Sequence, residues 1–358
     1  MKSSVLVLGI LAACGGDDGG GGGSVPKASY RVDGITNASE VGDIVAFNAN
    51  GYFVSHSGTH GWTVTNVDTK VFTQITAMTG FVGFDDAGDL LYSVETGGPV
   101  RYFVRHGNGA GADSEIPSVL ADGLLFIPFA LGNDGTVWGY SQQRNPNGPT
   151  IAGYARYAID HADQFRDWAG HEPTNDLAQI PRGVDTTGNA VFCETAADQS
   201  GDNGLPETHC RVAASDNTLQ DIGTDVPDFW SVLSLRPITP SGRLGGEVTV
   251  GQRGFGGSFP ALFGPSGTEI LGDQLGDVLG IIDRGDVIFT QLHVAQPVRV
   301  RTPSGDVRDL TPYLINPNAP NAEVSGITVL ALAPDGRILI SQDVLGTSDV
   351  AIELLTPE

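Results

Sequence analysis

Seven times along the chain an apolar run stops at a short polar turn, passes a glycine and resumes. The copies are FNANGYFVS, FDDAGDLLYS, LGNDGTVWGYS, VDTTGNAVFCE, ITPSGRLGGE, IIDRGDVIFTQ and LALAPDGRILISQD. Their glycines are Gly51, Gly88, Gly135, Gly188, Gly242, Gly285 and Gly336, spaced 37 to 54 residues apart. In Ala333-Pro334-Asp335-Gly336, proline supplies the φ near −65° wanted at the second position of a type I turn. Glycine in fourth place supplies the positive φ that a hairpin with a G1 bulge requires. Asp, Asn, Thr and Ser fill the middle of the other copies, so each copy reads as two antiparallel strands.

A second, weaker strand pair follows most copies, as in GWTVTNVDTKVFTQIT (61–76), THCRVAASDNTLQDIG (208–223) and PVRVRTPSGDVRDLTP (297–312). Four strands in a unit of about 47 residues is the period of a propeller blade, whereas a β-solenoid needs a shorter and more constant one. The expected fold is therefore all-β: one seven-bladed β-propeller of four-stranded antiparallel blades over residues 29–358. The 50 glycines and 21 prolines suit a turn-dense chain. No apolar period of 3.6 residues is sustained, so helix is expected to be scarce. The last unit holds only three strands, near 326–333, 337–342 and 350–355. SYRVDGIT (29–36) is expected to supply its fourth and so close the ring, removing an open edge.

The chain carries 42 acidic against 19 basic residues, a formal charge of −23. Such a surface repels phosphate backbones, which argues against nucleic acid as a partner. A monomer is expected.

Lys2, the apolar run Val5 to Leu11 and Leu11-Ala12-Ala13-Cys14 read as an export signal. The segment resembles the lipoprotein signal of bacteria. The resemblance implies a signal peptide at 1–13, cleavage before Cys14, and a diacylglycerol on that cysteine with an acylated amine, palmitate being a usual acyl group. Residues 14–28 then form a tether. Its stretch GGDDGGGGGS (15–24), taken as a Gly-rich coil, spans roughly 17 Å and would hold the folded body beside the membrane. Gly15 after the lipidated cysteine favours the outer membrane in enterobacterial-type sorting. In an exported protein the remaining cysteines, Cys193 and Cys210, are expected to close the loop ETAADQSGDNGLPETH as a disulfide. Two buried thiols, or half of a metal site, are the alternatives.

With the strands of a blade named a to d, the a–b and c–d turns share one face and the b–c and d–a connections share the other. The a–b and c–d turns are short. The opposite face receives longer, irregular segments, where binding residues are normally carried. The candidates there are Arg144, Asn145, His171, Asp228, Trp230, Arg253, His293 and Tyr313.

Several clusters imitate chemistry. His56 and His60 in HSGTH have the spacing of helical zinc ligands but flank a b–c loop, which points to ordinary loop histidines. Asp160-His161-Ala162-Asp163 is a c–d turn, and Asp167 falls on strand d where Asp221 and Asp309 fall in other units, a structural repeat position. GNGAGAD (107–113) imitates a dinucleotide loop without a following helix, so it reads as a c–d turn. DQSGDNG offers Asp198 and Asp202 as a weak calcium site that lacks EF-hand spacing. No Gly-x-Ser-x-Gly elbow occurs, and no catalytic residue is assigned.

VWGYS and the form apolar-x-Asn/Asp-x-Gly-x-apolar-apolar resemble the HAF-type extracellular repeats of bacteria, and APDGRILIS is similar to the turn of NHL-type and Tol-associated propellers. The second HAF signature and the Trp-Asp ending of WD repeats are missing. The expectation is a non-catalytic envelope lipoprotein that binds a protein, a glycan or another envelope component through its long-loop face, with no cofactor unless calcium. The alternative is an exported propeller enzyme of lyase, glycosidase or lactonase type. Three or more His, Asp, Glu or Arg side chains converging on the axis would favour the enzyme.

Overall fold

A computed structural model describes residues 30–37, 41–119, 125–143, 150–158, 166–168, 177–184, 189–196, 208–213, 219–222, 230–238, 244–250, 258–264, 267–271, 275–282, 284–290, 298–310, 324–344 and 350–358. Its strands, in chain order, are β1 (Tyr30–Asn37), β2 (Asp43–Phe47), β3 (Tyr52–Ser57), β4 (Gly61–Asn66), β5 (Phe72–Gln74), β6 (Gly80–Phe84), β7 (Leu90–Val94), β8 (Arg101–Arg105), β9 (Asp113–Ile116), β10 (Leu125–Leu131), β11 (Thr136–Gln143), β12 (Thr150–Ala158), β13 (Arg166–Trp168) and β14 (Leu177–Val184). There follow β15 (Ala190–Ala196), β16 (Thr208–Ala213), β17 (Leu219–Ile222), β18 (Trp230–Ile238), β19 (Leu244–Val250), β20 (Ser258–Gly264), β21 (Gly267–Ile270), β22 (Val278–Ile281), β23 (Val287–Thr290), β24 (Val298–Arg301), β25 (Val307–Asp309), β26 (Val324–Leu332), β27 (Ile338–Val344) and β28 (Val350–Pro357).

Among the described residues these form seven four-stranded antiparallel sheets. Six take four consecutive strands, from β2–β5 through β22–β25; the seventh runs β26, β27, β28 and then β1. The amino-terminal strand thus pairs with the carboxy-terminal one, Tyr30 opposite Pro357 and Asn37 opposite Ala351.

The glycine turns have the geometry their sequence dictates. Gly51, Gly88, Gly135, Gly285 and Gly336 all adopt φ between +76° and +94°. Each donates its N–H to the carbonyl three residues back, as Gly336 does to Ala333 at 3.0 Å, and the residue after each glycine accepts the closing bond, as Arg337 O does from Ala333 N at 2.9 Å. That is a type I turn plus G1 bulge. Gly188 and Gly242 lie outside the described residues.

Neighbouring a–b turns are also bonded to one another. Arg337 donates to Ala49 O at 2.6 Å, Ala49 N to Asp86 Oδ1 at 2.8 Å, and Asp86 N to Asn133 Oδ1 at 2.9 Å, while Asn133 Nδ2 returns a bond to Asp86 Oδ2 at 2.8 Å. Asn50 Nδ2 donates to Asp86 O. The Asn and Asp residues of the turns therefore act between sheets as well as within their own hairpins.

The first strands show a feature that hairpin signals do not announce. Each contains a β-bulge. In six sheets the extra residue stands six places before its turn glycine, as Val45 stands to Gly51 and Val82 to Gly88; the others are Phe129, Arg182, Leu279 and Leu330. In the fifth sheet the register shifts twice, at Leu233 and at Pro237, and Arg236 between them is paired with Gly245. Five places before the glycine stand Ala46, Gly83, Ala130, Gly183, Gly280 and Ala331, all small, and in the fifth sheet Pro237. After each comes a large apolar one: Phe47, Phe84, Leu131, Val184, Ile238, Ile281 and Leu332.

Packing between sheets explains that order. A Cβ at Gly83 would lie 3.0 Å from Leu131 N and 3.2 Å from Leu131 Cβ, and one at Gly280 would lie 2.2 Å from Leu332 Cδ1. The small residue of one first strand therefore receives the large apolar residue of the next. Ala130 with Val184, and Ala331 with Phe47, sit in shared apolar clusters in the same relation. The main clusters bridge two sheets rather than filling one, as Phe53, Leu339 and Leu354 do between the first and seventh. The core is distributed over the intersheet contacts.

Candidate functional site

Up-and-down strand order puts the b–c and d–a connections on one face, and the described strands fix where those connections begin and end. On the other face the a–b connections are nearly uniform: 48–51, 85–89, 132–135, 282–286 and 333–337. The b–c and d–a connections range from 58–60 to 197–207 and 310–323. One expectation needs correcting. The c–d connections are not uniformly short, because 106–112 and 159–165 match several loops of the opposite face in length. In the second sheet the reason is visible: Asn108 N donates to Gly88 O at 2.7 Å, folding the c–d turn back over the a–b turn.

Of the proposed binding residues, Trp230 opens β18. Arg144, Asn145, His171, Asp228, Arg253, His293 and Tyr313 lie outside the described residues, as do Cys14, Asp198 and Asp202. Cys193 on β15 and Cys210 on β16 stand directly opposite each other in the strand register. GNGAGAD is a turn between β8 and β9, and Asp167, Asp221 and Asp309 lie on β13, β17 and β25, the fourth strands of their sheets. His56 lies on β3 with its ring 4.6 Å from that of Trp62, and His60 lies 5.3 Å from the ring of Phe72. Both imidazoles are thus placed against aromatic rings; among the described residues no group of three or more metal-ligating side chains occurs.

The first strands, side by side from sheet to sheet, carry few ionisable residues. Across all seven these are Asp43, Arg182 and Arg236. Histidine and glutamate, which could take and return a proton near neutral pH, do not occur on them.

Two buried acids stand elsewhere. Asp85, in the a–b turn of the second sheet, is pushed up to about 6, first by burial and then by the carboxylates of Asp89 and Asp86; the backbone N–H groups of Asp89 and Gly88 oppose the shift. Its Oδ1 accepts from Asp89 N at 2.7 Å. Glu353, on β28, is also raised to about 6 by burial. It is 2% exposed, and Oε2 has no hydrogen-bond partner. Glu353 pairs with Ile340, two residues from Gln342 on β27. Both side-chain polar atoms of Gln342 are likewise buried without a partner.

One polar array was not legible from sequence. His106 Nδ1 lies 2.8 Å from Asp89 Oδ2, and His106 Nε2 lies 3.5 Å from Ser114 Oγ. The order carboxylate, imidazole, hydroxyl is that of a nucleophilic relay. It spans the last residue of the a–b turn before β7, the turn after β8, and β9, on the face of the short hairpins. Residues 89, 106 and 114 meet only because the three strands run antiparallel, so no local motif marks them.

No family model matches the chain, and none of the curated proteins does. Solved structures do resemble it. An oligogalacturonate lyase from Vibrio parahaemolyticus is 12% identical, aligned over 93% of this chain and 98% of its own, with a TM-score of 0.53. An oligogalacturonate lyase in complex with manganese is 14% identical over 93% and 99%, with a TM-score of 0.55. The β-propeller domain of the Trilobed protease from Pyrococcus furiosus, described as having an open velcro topology, is 8% identical over 88% and 94%, with a TM-score of 0.53. At these identities the likeness is one of fold, and that fold is the β-propeller.

Proposed function

We propose that this chain is an exported, lipid-anchored binding protein: a seven-bladed propeller, closed by β1 and tethered through Cys14, that engages a protein, glycan or envelope component with the face carrying the b–c and d–a connections. One observation carries the reading. The described a–b hairpins are alike in length, and those of the seventh, first, second and third sheets are tied to each other by Arg337, Asp86 and Asn133, while the connections on the opposite face differ widely in length. A braced scaffold with variable loops on one face is the arrangement in which recognition is built. The sparsely charged first strands support binding over catalysis, since the arginines among them stay protonated and cannot act as bases.

The test replaces residues 144–149, or 311–323, with Gly-Ser segments of equal length and compares capture of envelope components with the native chain. Replacement of the c–d segment 159–165, on the other face, is the control. Loss of the same partner in the first two variants alone is expected; equal recovery by all would overturn the assignment. Cys14→Ser should move the protein from the membrane to the soluble fraction.

A second reading has its own observation. The Asp89–His106–Ser114 array would serve an exported hydrolase, with Ser114 as nucleophile. Labelling of native protein, but not of Ser114→Ala, by a fluorophosphonate would establish that reading, and no labelling would leave the array a brace between strands.

A further inference from the structure

We infer that Asp85 is held as the neutral carboxylic acid, its Oδ2 hydroxyl donating to the carbonyl of Gly132 in the next hairpin, so that the second and third sheets are latched to each other in acid and unlatched when Asp85 ionises. The latch lies in the ring of a–b turns. It goes beyond the binding role proposed above and does not depend on it.

The argument begins with the repeat. Asn48, Asp85 and Gly132 each stand three residues before a turn glycine. Their backbones are bonded alike: Asn48 N donates to Tyr52 O at 3.0 Å, Asp85 N to Asp89 O at 3.1 Å and Gly132 N to Thr136 O at 2.9 Å. The step from one turn to the next is repeated too, since Ala49 N donates to Asp86 Oδ1 at 2.8 Å and Asp86 N to Asn133 Oδ1 at 2.9 Å. Gly132 O therefore stands to the side chain of Asp85 as Asp85 O stands to that of Asn48.

Asn48 shows what a side chain does in that place. Its Oδ1 accepts from Tyr52 N at 2.9 Å and from Asn50 N at 3.1 Å, and its Nδ2 donates to Asp85 O at 3.0 Å. One atom closes its own turn and the other holds the neighbouring sheet. Asp85 keeps the first half, with Oδ1 accepting from Asp89 N at 2.7 Å. Where asparagine has its amino group, aspartate has Oδ2, an atom that is buried and has no hydrogen-bond partner. The residue is 3% exposed, so bulk water does not reach it. An ionised oxygen there would face a carbonyl oxygen with no donor between them, which burial makes costly. One proton turns Oδ2 into a donor in the position of the asparagine N–H.

The surrounding charges favour that proton. Asp86 and Asp89 belong to the same turn. Of the facing elements, the turn 48–51 is uncharged, and Arg337 reaches it at Ala49 O. The third-sheet turn brings Asp134, bonded to Thr136 N and Oγ1, and the c–d connection brings His106, bonded to Asp89 Oδ2. Asp85 is raised from 3.8 to about 6, with burial the largest cause. The folded carboxyl thus holds its proton more tightly than the free one, and the latch is whole below pH 3.8 and lost as pH rises through about 6. The same turn carries Asp89 to His106 and receives Asn108 N on Gly88 O at 2.7 Å, so its release also loosens the connection 106–112. Asn48 makes this link at any pH, whereas Asp85 makes it conditional on acid.

Carbon NMR of the full chain labelled at aspartate Cγ, titrated from about pH 3.5 to 8, tests the inference; the Asp85 signal is the one absent from Asp85→Asn. Asp85 is expected to remain protonated at pH 5. Hydrogen exchange of the Asp86 amide, which bonds across the junction, gives the mechanical readout. Its protection should fall about tenfold or more between pH 4.5 and 7.5 in the native chain. Asp85→Asn, which restores the donor that Asn48 uses, should hold it constant, and Glu353→Gln should leave the fall in place. A carboxyl already ionised at pH 5, equal falls with and without Asp85→Asn, or a fall abolished by Glu353→Gln instead would overturn the inference. Should Asp85→Asn not fold, the Asp85 signal is assigned through its own backbone resonances, and Asp86 protection that stays constant with pH in the native chain would overturn it equally.

Discussion

Gly83→Val should destabilise the protein by the overlap it forces between the second and third sheets. Position 83 is the small member of its first strand, and even a single added Cβ would sit 3.0 Å from Leu131 N and 3.2 Å from Leu131 Cβ. β10 cannot retreat freely, because its other side is held by β11 from Leu125 to Leu131. For alanine the neighbour must give by a few tenths of an ångström. That cost is partly offset by the roughly 0.4–1 kcal/mol that Gly→Ala gains through a less flexible unfolded chain, so Gly83→Ala should lie near neutral. Valine adds two methyl groups pointing into the same strand, and overpacking of that kind costs about 1–3 kcal/mol. With a urea m-value of about 3 kcal/mol/M, the unfolding midpoint should drop by up to about 1 M. Tryptophan fluorescence reports it, the chain having four tryptophans. Gly98→Ala is the control, since nothing lies within 4 Å of its added carbon. A Gly83→Val midpoint equal to that of the control would refute the small-to-large nesting of first strands.

Glu353 gives a pH prediction with a definite sign. Its carboxyl is raised from 4.5 to about 6 in the fold, so the folded state keeps a proton that the unfolded state releases. Stability from this group is present below pH 4.5 and falls away as pH rises through 6, by about 2 kcal/mol at one and a half units. Asp85 shifts in the same direction, so Glu353→Gln should flatten the loss of urea midpoint between pH 5 and 7.5 only in part; an unchanged slope would contradict the burial argument. Deleting residues 30–37 should lower the melting temperature sharply and promote aggregation, because it exposes the β28 edge and removes Tyr30 and Ile35 from two intersheet clusters. An unaffected melting curve would count against closure by that strand. Alkylation without reductant should leave Cys193 and Cys210 unlabelled, and Cys193→Ser with Cys210→Ser should cost about 3 kcal/mol; free thiols in exported protein would dispose of the disulfide.

The hairpins were legible because their chemistry is local. Positive φ at Gly51 or Gly336 is a property of four consecutive residues, and no distant contact is needed to demand it. Pairing of β1 with β28 was legible for another reason: three strands where other units have four left an edge to be filled. The bulges were not read, although their signal was present as the recurring small residue after position 45, 82 or 129. That residue is small because of the neighbouring sheet, and intersheet contact does not show within one repeat. Asp89, His106 and Ser114 escaped for the same reason, since strand pairing alone brings them together. The length of the 106–112 connection was misjudged because the turn is a packing element against Gly88 and not a minimal link.

The same geometry explains where this chain is free to vary. The residue five places before the glycine is small in six of the seven repeats and the one after it is large in all, because neighbouring sheets interlock there. Positions within the a–b turns are constrained by bonds such as Asp86 to Asn133. In six sheets the residue six places before the glycine has neither duty in full: its bulge takes it out of regular pairing, and valine, leucine, phenylalanine and arginine all occur there. A repeat that is rigid at one position and permissive at the next can vary there without losing its core.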